Sequence, residues 1–564
     1  MIVQALNEVQ EKHGYIPEAE LYVLAQKLRV PVYELHGVAT YYPGYRMKPP
    51  PKADVRVCGD FPCRLRGSEP LRKLLEEIAA EAPAGTCEVK HVSCLGKCDM
   101  APAISVNDHP MYNMDTNGLA NVVKLAIAGE KLPHPHYGHP PKPYRCDPYP
   151  DEASQYGAVK ALTYALKNPA PASDDDDAVK GLAAMGPVAD ILAKLKASGL
   201  RGMGGAGFPT GTKWEAVKNC VSDRKYIVCN ADECEVGTVK DRELMRNCPH
   251  LLAEGMILAG LVTGATQGYI YIRHEYHDQI ETMNKEIERA RGLGLVGENI
   301  QGTGLTYNLE VFVSPGGYVQ GEESALLEAI EGKRGQPRVK PPFPVFVGLW
   351  GKPTVINNVE TLSYVPSILV KGPDWFKSQG KNGCFGIKWI GVSGHVNNPG
   401  VWEVPMGTTY REAIYDLGKG VTGGRPLKAF APSGPSGGFL PPSMIDLNMD
   451  FKIMSDAGSM LGSGAIVAMS DTVDLLDMAL NATRFFRNES CGKCVPCRVG
   501  SQKMVDTIAS IAAGTGTNKD VDTIHQLAET MNMASICGLG QVVAAPIQSL
   551  LKHFPNEIYS RIKS

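Results

Sequence analysis

The sequence predicts a multidomain α/β protein that ends in a mostly helical part. Its 564 residues have an ordinary globular composition, with 43% hydrophobic and 21% charged residues, and suffice for roughly three or four domains. From residue 54 to about 380, strand-like runs alternate with amphipathic helical runs, as in α/β domains. Short strands with Gly and Pro turns follow to about residue 440, and helical periodicity dominates from about 465.

The first domain is predicted over residues 1–132. Residues 1 to about 48 are helical, and Gly14 followed by Pro17 marks the end of the first helix. A strand at 55–58, an amphipathic helix at 69–81 and a second strand at 87–92 come next. This part therefore combines a helical hairpin with a small α/β fold.

A linker is predicted over residues 133–175, because residues 133–150 are too rich in proline for a helix or strand. The aspartates at 174–177 fit the solvated N-terminus of a helix, where the helix dipole favours negative charge. The remaining predicted units are an α/β domain over 176–382, a short-strand domain over 383–445 and a helical domain over 446–564.

Composition and charge exclude several classes of function. The net charge of -3 favours no class of partner, and because no basic stripe is present, nucleic acid is not an expected partner. The uncharged stretch 255–272 is interpreted as a buried helix followed by a strand, and 530–551 is too polar for a membrane span. No signal-peptide pattern opens the chain, and fifteen cysteines fit metal-bound thiolates in a reducing cytoplasm better than disulfides.

Four C-terminal cysteines carry the strongest chemical signal. Cys491, Cys494 and Cys497 form a C-x2-C-x2-C run, and Cys537 lies alone downstream. Three thiolates from one turn and a fourth from another segment suit a cubane iron–sulfur cluster. Zinc is the alternative, although two separated pairs or histidines at short spacing are more typical of zinc sites.

A second cysteine set lies in the first domain. Cys58 and Cys63 form one pair, and Cys94 and Cys98 form another, each after a strand-like run. Two pairs of thiolates suit a [2Fe–2S] cluster, with one pair on each iron. A four-thiolate zinc site is again the alternative. The cysteines interpreted as structural are Cys87, Cys146, Cys220, Cys229, Cys248 and Cys384.

A glycine-rich loop at 198–214 is the third signal. Gly202, Gly204 and Gly207 match the G-x-G-x-x-G fingerprint of dinucleotide-binding folds, but that fingerprint requires a strand before it. The preceding residues have helical periodicity, so a Rossmann fold is not expected. The loop can still hold a phosphate through backbone N–H groups, with Arg201 and Lys213 nearby. A purely structural glycine turn is the alternative.

Carboxylates follow two later apolar strands. The strand at 226–230 leads into Asp232, Glu233 and Glu235, and a glycine turn at 316–321 leads into two further glutamates. Polar groups at the carboxyl ends of strands in an α/β sheet are typical of a ligand site. A solvated acidic face is the alternative.

Together these motifs resemble the NADH-oxidising module of respiratory complex I, with the 24-kDa-type and 51-kDa-type parts fused into one chain. Similar diaphorase subunits occur in NAD-dependent formate dehydrogenases, as their β-subunit, and in bidirectional hydrogenases. The resemblance covers nearly the whole chain. Besides both cysteine sets and the glycine loop, it rests on motifs such as Gly37-Val-Ala-Thr-Tyr-Tyr, Asp241-Arg-Glu-Leu, Tyr271-Ile-Arg-His-Glu-Tyr, Asn357-Asn-Val-Glu-Thr and Gly458-Ser-Met-Leu-Gly.

The resemblance implies a fold and a set of cofactors. A thioredoxin-like [2Fe–2S] domain comes first, followed by an α/β domain for FMN and NAD, a ubiquitin-like β-grasp domain of the SLBB type, and a helical bundle with a [4Fe–4S] cluster. The implied [2Fe–2S] ligands are Cys58, Cys63, Cys94 and Cys98. The implied [4Fe–4S] ligands are Cys491, Cys494, Cys497 and Cys537.

The resemblance also implies the residues around the flavin and the nucleotide. FMN would contact Arg201, Gly202, Gly204, Lys213, Asn230, Asp232, Gly321, Glu322, Asn357 and Asn358. NAD would contact Phe208, Glu235, Tyr318, Glu323, Lys340 and Phe343. Glu233, Glu235 and Glu323 would position the substrate, and no protein acid or base is needed because hydride passes directly between nicotinamide and flavin.

Four positions depart from the family pattern. Cys234 and Val236 replace a usual Gly and Pro, Gln320 stands where Cys is common, and Ala216 takes the place of a second adenine-stacking Phe. A cysteine at 234 requires a backbone that tolerates a Cβ atom. The absent Phe puts one adenine contact in question.

The resemblance implies that electrons leave for a catalytic partner in a hetero-oligomer. Fusion of the two parts favours a soluble diaphorase over complex I, and no ferredoxin domain is expected after Cys537. We favour the catalytic α-subunit of a molybdenum or tungsten formate dehydrogenase as the partner, with a NAD-reducing hydrogenase or complex I as the alternative. NAD is favoured over NADP because no basic residue is apparent for a 2′-phosphate. A zinc-stabilised scaffold without redox activity is the alternative of a different class.

Overall fold

The computed structural model describes residues 2–133, 143–168 and 186–563. Within these ranges the chain forms three four-stranded sheets, each with its own helices. The sheets follow one another along the chain, which confirms the predicted multidomain α/β architecture. The predicted acidic run at 174–177 lies outside the described residues.

The N-terminal segment is helical, as predicted. The first helix ends at Gly14, whose φ is +75° and whose N–H donates to the carbonyl of Gln10 at 2.7 Å. Leu6 and Leu35 are fully buried and pack on the central sheet. The helices of this segment are Ile2–His13, Glu18–Leu28 and Val32–Ala39.

The first sheet has the strand order β2-β1-β3-β4. Its parallel pair, β1 and β2, corresponds to the two predicted strands, and the predicted helix lies between them. The strands are β1 (Ala53–Cys58), β2 (Cys87–Val92), β3 (Ile104–Val106) and β4 (His109–Met111). The helices are Phe61–Leu65, Ser68–Glu81 and Thr116–Ala128.

The central sheet is entirely parallel, with the order β7-β6-β5-β8. Parallel sheets are covered on both faces, so their strands are apolar runs. The strands are β5 (Tyr226–Ala231), β6 (Gln267–Arg273), β7 (Asn308–Ser314) and β8 (Thr354–Asn358). The helices are Gly186–Ser198, Thr210–Asn219, Lys240–Asn247, Pro249–Thr263, His277–Gly292, Glu323–Ile330, Val359–Lys371 and Pro373–Ser378. Pro249–Thr263 is buried along almost its whole length, which explains the uncharged sequence from 255.

The predicted linker contains a packed helix, Gly157–Lys167. Tyr156 and Val159 are fully buried in the core of the central domain. Cys146 lies in the same core, where burial and the neighbouring Cys248 thiol raise its pKa. Part of the range 133–175 therefore belongs to the central domain, because this short amphipathic helix completes its core.

The third sheet has the order β10-β9-β12-β11, and β9 and β12 are parallel. The strands are β9 (Ile387–Gly394), β10 (Gly400–Pro405), β11 (Leu427–Ala431) and β12 (Ala465–Ser470). The sheet therefore extends past the domain boundary predicted after residue 445. A parallel pair needs a long crossover connection, and here the crossover carries the helix Phe451–Asp456.

The C-terminal region is helical, as predicted. Its helices are Leu475–Asn488, Val495–Ala512, Asn518–Ala534, Gly538–Val542, Ala545–His553 and Asn556–Tyr559. Their apolar faces form one core that also reaches the cysteines of the first domain. Throughout the described residues, every helix is too short or too polar to cross a membrane.

Candidate functional site

The cysteines of the first domain form one buried group, here called the inner cysteine site. Cys58 ends β1 and Cys63 lies on the short helix Phe61–Leu65, while Cys94 and Cys98 follow β2. The Sγ atoms of Cys94 and Cys98 are 3.2 Å apart, and hydrogen bonds with the Cys63 and Cys94 thiols raise the pKa of Cys58. No more than 5% of any of these four residues is exposed. The structure thus brings the four predicted [2Fe–2S] ligands together.

Groups of the central domain hold the inner cysteine site in place. Arg273, at the end of β6, donates to the carbonyl oxygens of Cys94 and Glu233, both at 2.6 Å. The backbone N–H of Gly237 donates to Cys98 Sγ at 3.2 Å. Hydrogen bonds to thiolate sulfurs tune the reduction potential of a cluster bound there.

A buried ion pair adds to this attachment. Arg242 Nη2 lies 2.7 Å from Asp99 Oδ2, and Arg242 Nη1 donates to the carbonyl of Gly96 at 2.7 Å. The C-terminal helices contribute as well, since Asn481 Nδ2 donates to the carbonyl of Gly59 at 2.9 Å. The inner cysteine site is therefore fixed by contacts from separate parts of the chain.

The C-terminal cysteines form the outer cysteine site. Cys491, Cys494, Cys497 and Cys537 line one small pocket. Cys494 precedes the helix Val495–Ala512, and Cys497 lies in its first turn. Burial raises the pKa of both Cys497 and Cys537 to about 11. The predicted [4Fe–4S] ligands thus converge, although they come from two separate segments.

A third site, the glycine-loop pocket, has a volume of about 360 Å³ and lies at the carboxyl ends of β5 and β8. Gly204 makes its close packing possible, because a Cβ atom there would lie 3.0 Å from Asn358 Cβ. Of the residues predicted to bind FMN, those that line the pocket are Gly204, Asn230, Asp232, Gly321, Glu322 and Asn358.

Arg201 and Gly202 lie at the base of the glycine loop, outside the pocket lining. Arg201 Nε donates to the carbonyl of Gly207 at 2.6 Å, and its guanidinium lies 5.0 Å from the centre of the Phe451 ring. The N–H of Gly202 donates to the carbonyl of Phe208 at 2.9 Å. Both residues therefore stabilise the loop in this structure.

Lys213 and Asn357 also lie outside the lining. Lys213 Nζ donates to the carbonyl of Ile356 at 2.9 Å, and Asn357 Oδ1 accepts from Trp214 Nε1 at 2.8 Å. These bonds tie the helix after the glycine loop to β8. The helix Gly186–Ser198 precedes the loop, so the expected absence of a Rossmann strand is confirmed.

Two carboxyl groups in the pocket wall have strongly raised pKa values. Burial raises the pKa of Asp232 to about 7, and neither of its carboxylate oxygens has a hydrogen-bond partner. Burial, followed by the charge of Asp241, raises the pKa of Glu233 to about 7. Glu233 accepts from the N–H of Asp241 at 2.8 Å and from the hydroxyl of Tyr276 at 3.0 Å. Buried polar atoms without partners mark a place for a polar ligand.

Glu235 is held at both oxygens. It accepts from the hydroxyl of Tyr318 at 2.6 Å and from the N–H of Ser436 at 3.1 Å. Burial raises its pKa. Since Ser436 follows β11, the third sheet domain fixes a carboxylate of the glycine-loop pocket.

Of the other residues predicted to bind NAD, Lys340 and Glu323 form a charged group with Glu322, which lines the pocket. Lys340 Nζ lies 2.7 Å from Glu322 Oε1 and 2.8 Å from Glu323 Oε1. Phe208 and Phe343 are about half exposed, at 51% and 50%. Phe208 belongs to the glycine loop, with Lys213 Nζ 5.8 Å from its ring centre, and an exposed aromatic ring suits the stacking of a planar ligand.

Sequence reasoning missed the part of the pocket wall that comes from distant segments. Those residues are Thr238, Lys240, Val319, Ser433, Ser436, Met460, Gly462, Ser463, Gly538, Leu539 and Val542. Most of them come from the third sheet domain and the C-terminal helices. Three of them lie in segments that the sequence singled out: Val319 in the glycine turn at 316–321, and Met460 and Gly462 in the Gly458-Ser-Met-Leu-Gly motif.

The glycine-loop pocket and the outer cysteine site share a wall. Val319 and Leu539 line both of them. A further cavity of about 900 Å³ is lined by Cys94, Cys234 and Cys491, and so borders all three sites. The three predicted cofactor sites are therefore immediate neighbours.

Four family models match the chain in the order of its domains. A thioredoxin-like [2Fe–2S] ferredoxin matches residues 1–126, and the Nuo51 FMN-binding domain matches 195–367. The SLBB domain matches 390–439, and the NADH-ubiquinone oxidoreductase-F iron–sulfur binding region matches 477–561. These matches confirm the predicted cofactors and decide for iron–sulfur clusters over zinc.

Curated relatives extend this likeness. Over 394 residues the chain is 41% identical to "NADP-reducing hydrogenase subunit HndC" of Solidesulfovibrio fructosivorans, covering 69% of this chain and 80% of that one. It is 41% identical over 390 residues to a NADH-quinone oxidoreductase subunit of Escherichia coli (strain K12), covering 69% and 87%. The corresponding protein of Rickettsia rickettsii is 43% identical over 375 residues, covering 66% and 89%.

A solved structure matches the whole architecture. It is a chain of a NAD+-reducing [NiFe]-hydrogenase in the H2-reduced state, with a TM-score of 0.83 and 30% identity. The match covers 99% of this chain and 93% of that one. A chain of the air-oxidized enzyme matches with a TM-score of 0.81.

Proposed function

We propose that this chain, which belongs to the family of FMN- and iron–sulfur-binding NADH dehydrogenase subunits, is a diaphorase that connects NAD(H) to a catalytic partner. Hydride would pass between NAD(H) and FMN, and single electrons would pass through the [4Fe–4S] cluster. The shared wall carries this proposal. Because the glycine-loop pocket and the outer cysteine site adjoin at Val319 and Leu539, electrons would have a short path between the two.

The residues of the glycine-loop pocket fit FMN. The oxygens of Asp232 have no hydrogen-bond partner and would accept from a polar chain, and the glycines would leave room for a planar ring. Asn230, which donates to the carbonyl of Gly321 at 2.7 Å and accepts from the N–H of Asp232 at 3.2 Å, lines the same pocket. The other proposed FMN contacts are Arg201, Gly202, Gly204, Lys213, Gly321, Glu322, Asn357 and Asn358. When bound, FMN supplies the conversion between two-electron and one-electron transfer.

The nucleotide would enter beside the exposed aromatic rings. Phe208 and Phe343 would stack on it, and Lys340 would bind its phosphates. Glu233, Glu235 and Glu323 would position it through ribose and amide groups. Glu235 is suited to this role because Tyr318 and Ser436 already fix both of its oxygens. Hydride transfer between NAD(H) and FMN would then need no acid or base from the protein.

The inner cysteine site would hold the [2Fe–2S] cluster as a side acceptor or relay. Cys234 lines the glycine-loop pocket and the 900 Å³ cavity, and Cys94 lines the same cavity. The contacts of Arg242 and Arg273 with the cysteine loop would hold this cluster in place relative to the flavin. It would therefore exchange electrons in place rather than as a mobile carrier.

The outer cysteine site would deliver electrons to the partner. Apolar side chains are exposed on the helices that flank it, namely Val495, Val499 and Met533. Exposed apolar groups around a redox centre suit a protein interface. We propose this surface as the contact with a second protein in a cytoplasmic hetero-oligomer.

Our first candidate for that partner is the molybdenum or tungsten α-subunit of a formate dehydrogenase, so that formate and NAD+ give CO2 and NADH. The fused architecture resembles the β-subunits of such enzymes. The second candidate is a hydrogenase, favoured by the likeness over 99% of the chain to a NAD+-reducing [NiFe]-hydrogenase. NAD remains the proposed nucleotide in both.

Anaerobic purification of the tagged chain with its bound partners tests this proposal. We expect flavin absorption and about six irons per chain, one cluster of each type. NADH should bleach the flavin in a stopped-flow experiment. Molybdenum or tungsten in the sample would support formate dehydrogenase, and nickel would support hydrogenase. A colourless sample with zinc and no flavin would overturn the diaphorase function.

A further inference from the structure

We infer that a buried network of two lysines and two carboxylates behind the glycine-loop pocket sets the reduction potential of the flavin, and that one of its lysines, Lys388, is supplied by the third sheet domain. The inference deepens the proposed function and depends on FMN binding in that pocket. Lys240, Asp241, Glu360 and Lys388 are the network. Their side chains are 4% exposed or less.

Lys240 is the member closest to the ligand. It lines the glycine-loop pocket together with Asp241 and Asn358. Its Nζ lies 2.6 Å from Asp241 Oδ1, 2.9 Å from Glu360 Oε2 and 3.1 Å from Asn358 Oδ1. Asn358 Nδ2 in turn donates to Asp241 Oδ2 at 2.6 Å. The network therefore hydrogen-bonds both polar side-chain atoms of Asn358, a residue predicted to contact the flavin.

Lys388 reaches the network from β9. Its Nζ lies 2.5 Å from Glu360 Oε2 and 3.4 Å from the carbonyl of Met203 in the glycine loop. Glu360 is further fixed at Oε1, which accepts from the N–H of Trp389 at 2.7 Å and from the hydroxyl of Tyr364 at 3.0 Å. Two lysines thus share one glutamate, and the second comes from another domain.

Within the network two cations stand against two anions, and the carboxyl of Glu233 lies beside Asp241, whose charge, together with burial, raises the pKa of Glu233 to about 7. In a buried region a charge acts strongly on its neighbours because little water screens it. Flavin reduction brings electrons into the adjacent pocket, so any excess of one sign in the network shifts the reduction equilibrium. Lys388 and Lys240 act as positioning and electrostatic residues, since no proton or hydride passes through them.

Substitutions in the network should raise or lower the flavin reduction potential, depending on which charge they remove. Lys388→Met leaves one cation against two anions, so it disfavours added electrons and lowers the flavin potential. Asp241→Asn leaves two cations against one anion and raises the potential. Burial lowers the pKa of Lys388 to about 8, the direction expected for an amine removed from water. If the network had only a structural role, the two substitutions would not shift the flavin potential in opposite directions.

The test is a spectroelectrochemical titration of the flavin in the purified holoprotein. We expect at least a tenfold shift of the reduction equilibrium in each variant, in opposite directions, or about 30 mV for a two-electron couple. Lys225→Met is the matched control. Lys225 is a buried lysine at the start of β5, held by the carbonyls of Lys218 and Thr263 at 2.7 and 3.1 Å. It should leave the potential unchanged.

Three outcomes would overturn the inference. These are shifts of the same sign in Lys388→Met and Asp241→Asn, an equal shift in Lys225→Met, and loss of FMN from both network variants while the control retains it. Each would assign the network a structural role. If the wild-type chain itself binds no FMN, the proposed function fails, and that result is separate from the comparison of variants.

Discussion

The inner and outer cysteine sites use the same ligand chemistry in opposite surroundings. The four inner cysteines are almost fully buried, and Arg242, Arg273 and Gly237 bond to their loop. Three of the four outer cysteines are partly exposed, beside Val499 at 56% and Met533 at 78% exposure. One site is enclosed by the chain's own domains, whereas the other faces outwards.

This difference separates two roles within one electron-transfer protein. The potential of a cluster enclosed by fixed dipoles and ion pairs is tuned by those groups. A cluster near an apolar surface can exchange electrons with another chain. The comparison predicts that damage to the outer site isolates the partner, whereas damage to the inner site destabilises the fold.

The largest expected effect is that of Cys497→Ser. It removes one of the four outer thiolates, so about four of about six irons should be lost, and NADH should no longer reduce a partner. Bleaching of the flavin by NADH should persist, because the glycine-loop pocket remains intact. Iron analysis, EPR and stopped-flow absorption measure the three effects. Cys384→Ser, a buried cysteine outside both sites, is the control. Loss of flavin bleaching would contradict the separation of roles.

The next effect is that of Arg242→Met at the inner site. It leaves Asp99 as an uncompensated buried charge, and breaking such a pair destabilises a protein by about 3–5 kcal/mol. Urea unfolding measures the loss. Arg411→Met is the matched control, because its pair with Asp446 is exposed to solvent and should contribute little to stability. Equal losses in the two variants would refute the enclosed character of the inner site.

A pair of glycine substitutions sharpens the same contrast. At the inner site, a Cβ at Gly96 would lie 2.5 Å from the Tyr276 ring, and its φ is +68°. Gly96→Ala should therefore cost about 1–3 kcal/mol of stability through overpacking alone. At the outer site nothing lies within 4 Å of a Cβ at Gly538, so Gly538→Ala should change stability by less than about 0.5 kcal/mol. Thermal unfolding of both variants tests the contrast, which equal changes would disprove.

The last expected effect is on partner binding at the outward surface. Met533→Glu places a charge among the exposed apolar side chains beside the outer cysteine site. It should weaken partner binding about tenfold, or about 1.4 kcal/mol. Flavin reduction by NADH should not change. Binding is measured by titration of the separately purified partner. Tyr22→Glu, on an exposed position of the second helix, is the control. Unchanged affinity in Met533→Glu would place the interface elsewhere.

The local sequence predicted many elements correctly. The strand at 87–92 is observed as Cys87–Val92, and the rejected Rossmann strand is indeed a helix. Local patterns were sufficient there because alternation and helical periodicity depend on neighbouring residues. The strand β12 was missed because its assignment depends on pairing with β9, which lies more than seventy residues earlier.

The departures from the family pattern are accommodated in different ways. Cys234 lies outside the left-handed region and is 8% exposed, so the backbone accepts its Cβ. Val236 is fully buried and packs in the core that reaches Cys98. Gln320 is buried and donates to the carbonyl of Gly335 at 3.3 Å. Nothing in the structure explains Ala216.

The sequence by itself indicated which cysteines are candidate cluster ligands, because thiolate spacing is a property of short segments. It also indicated the glycine loop and the carboxylates that follow β5. Only the tertiary structure decided how these sites adjoin. The shared wall of Val319 and Leu539, the attachment by Arg242 and the reach of Lys388 from β9 all join segments far apart in the chain. Such contacts depend on how the domains pack, and no local pattern encodes that packing.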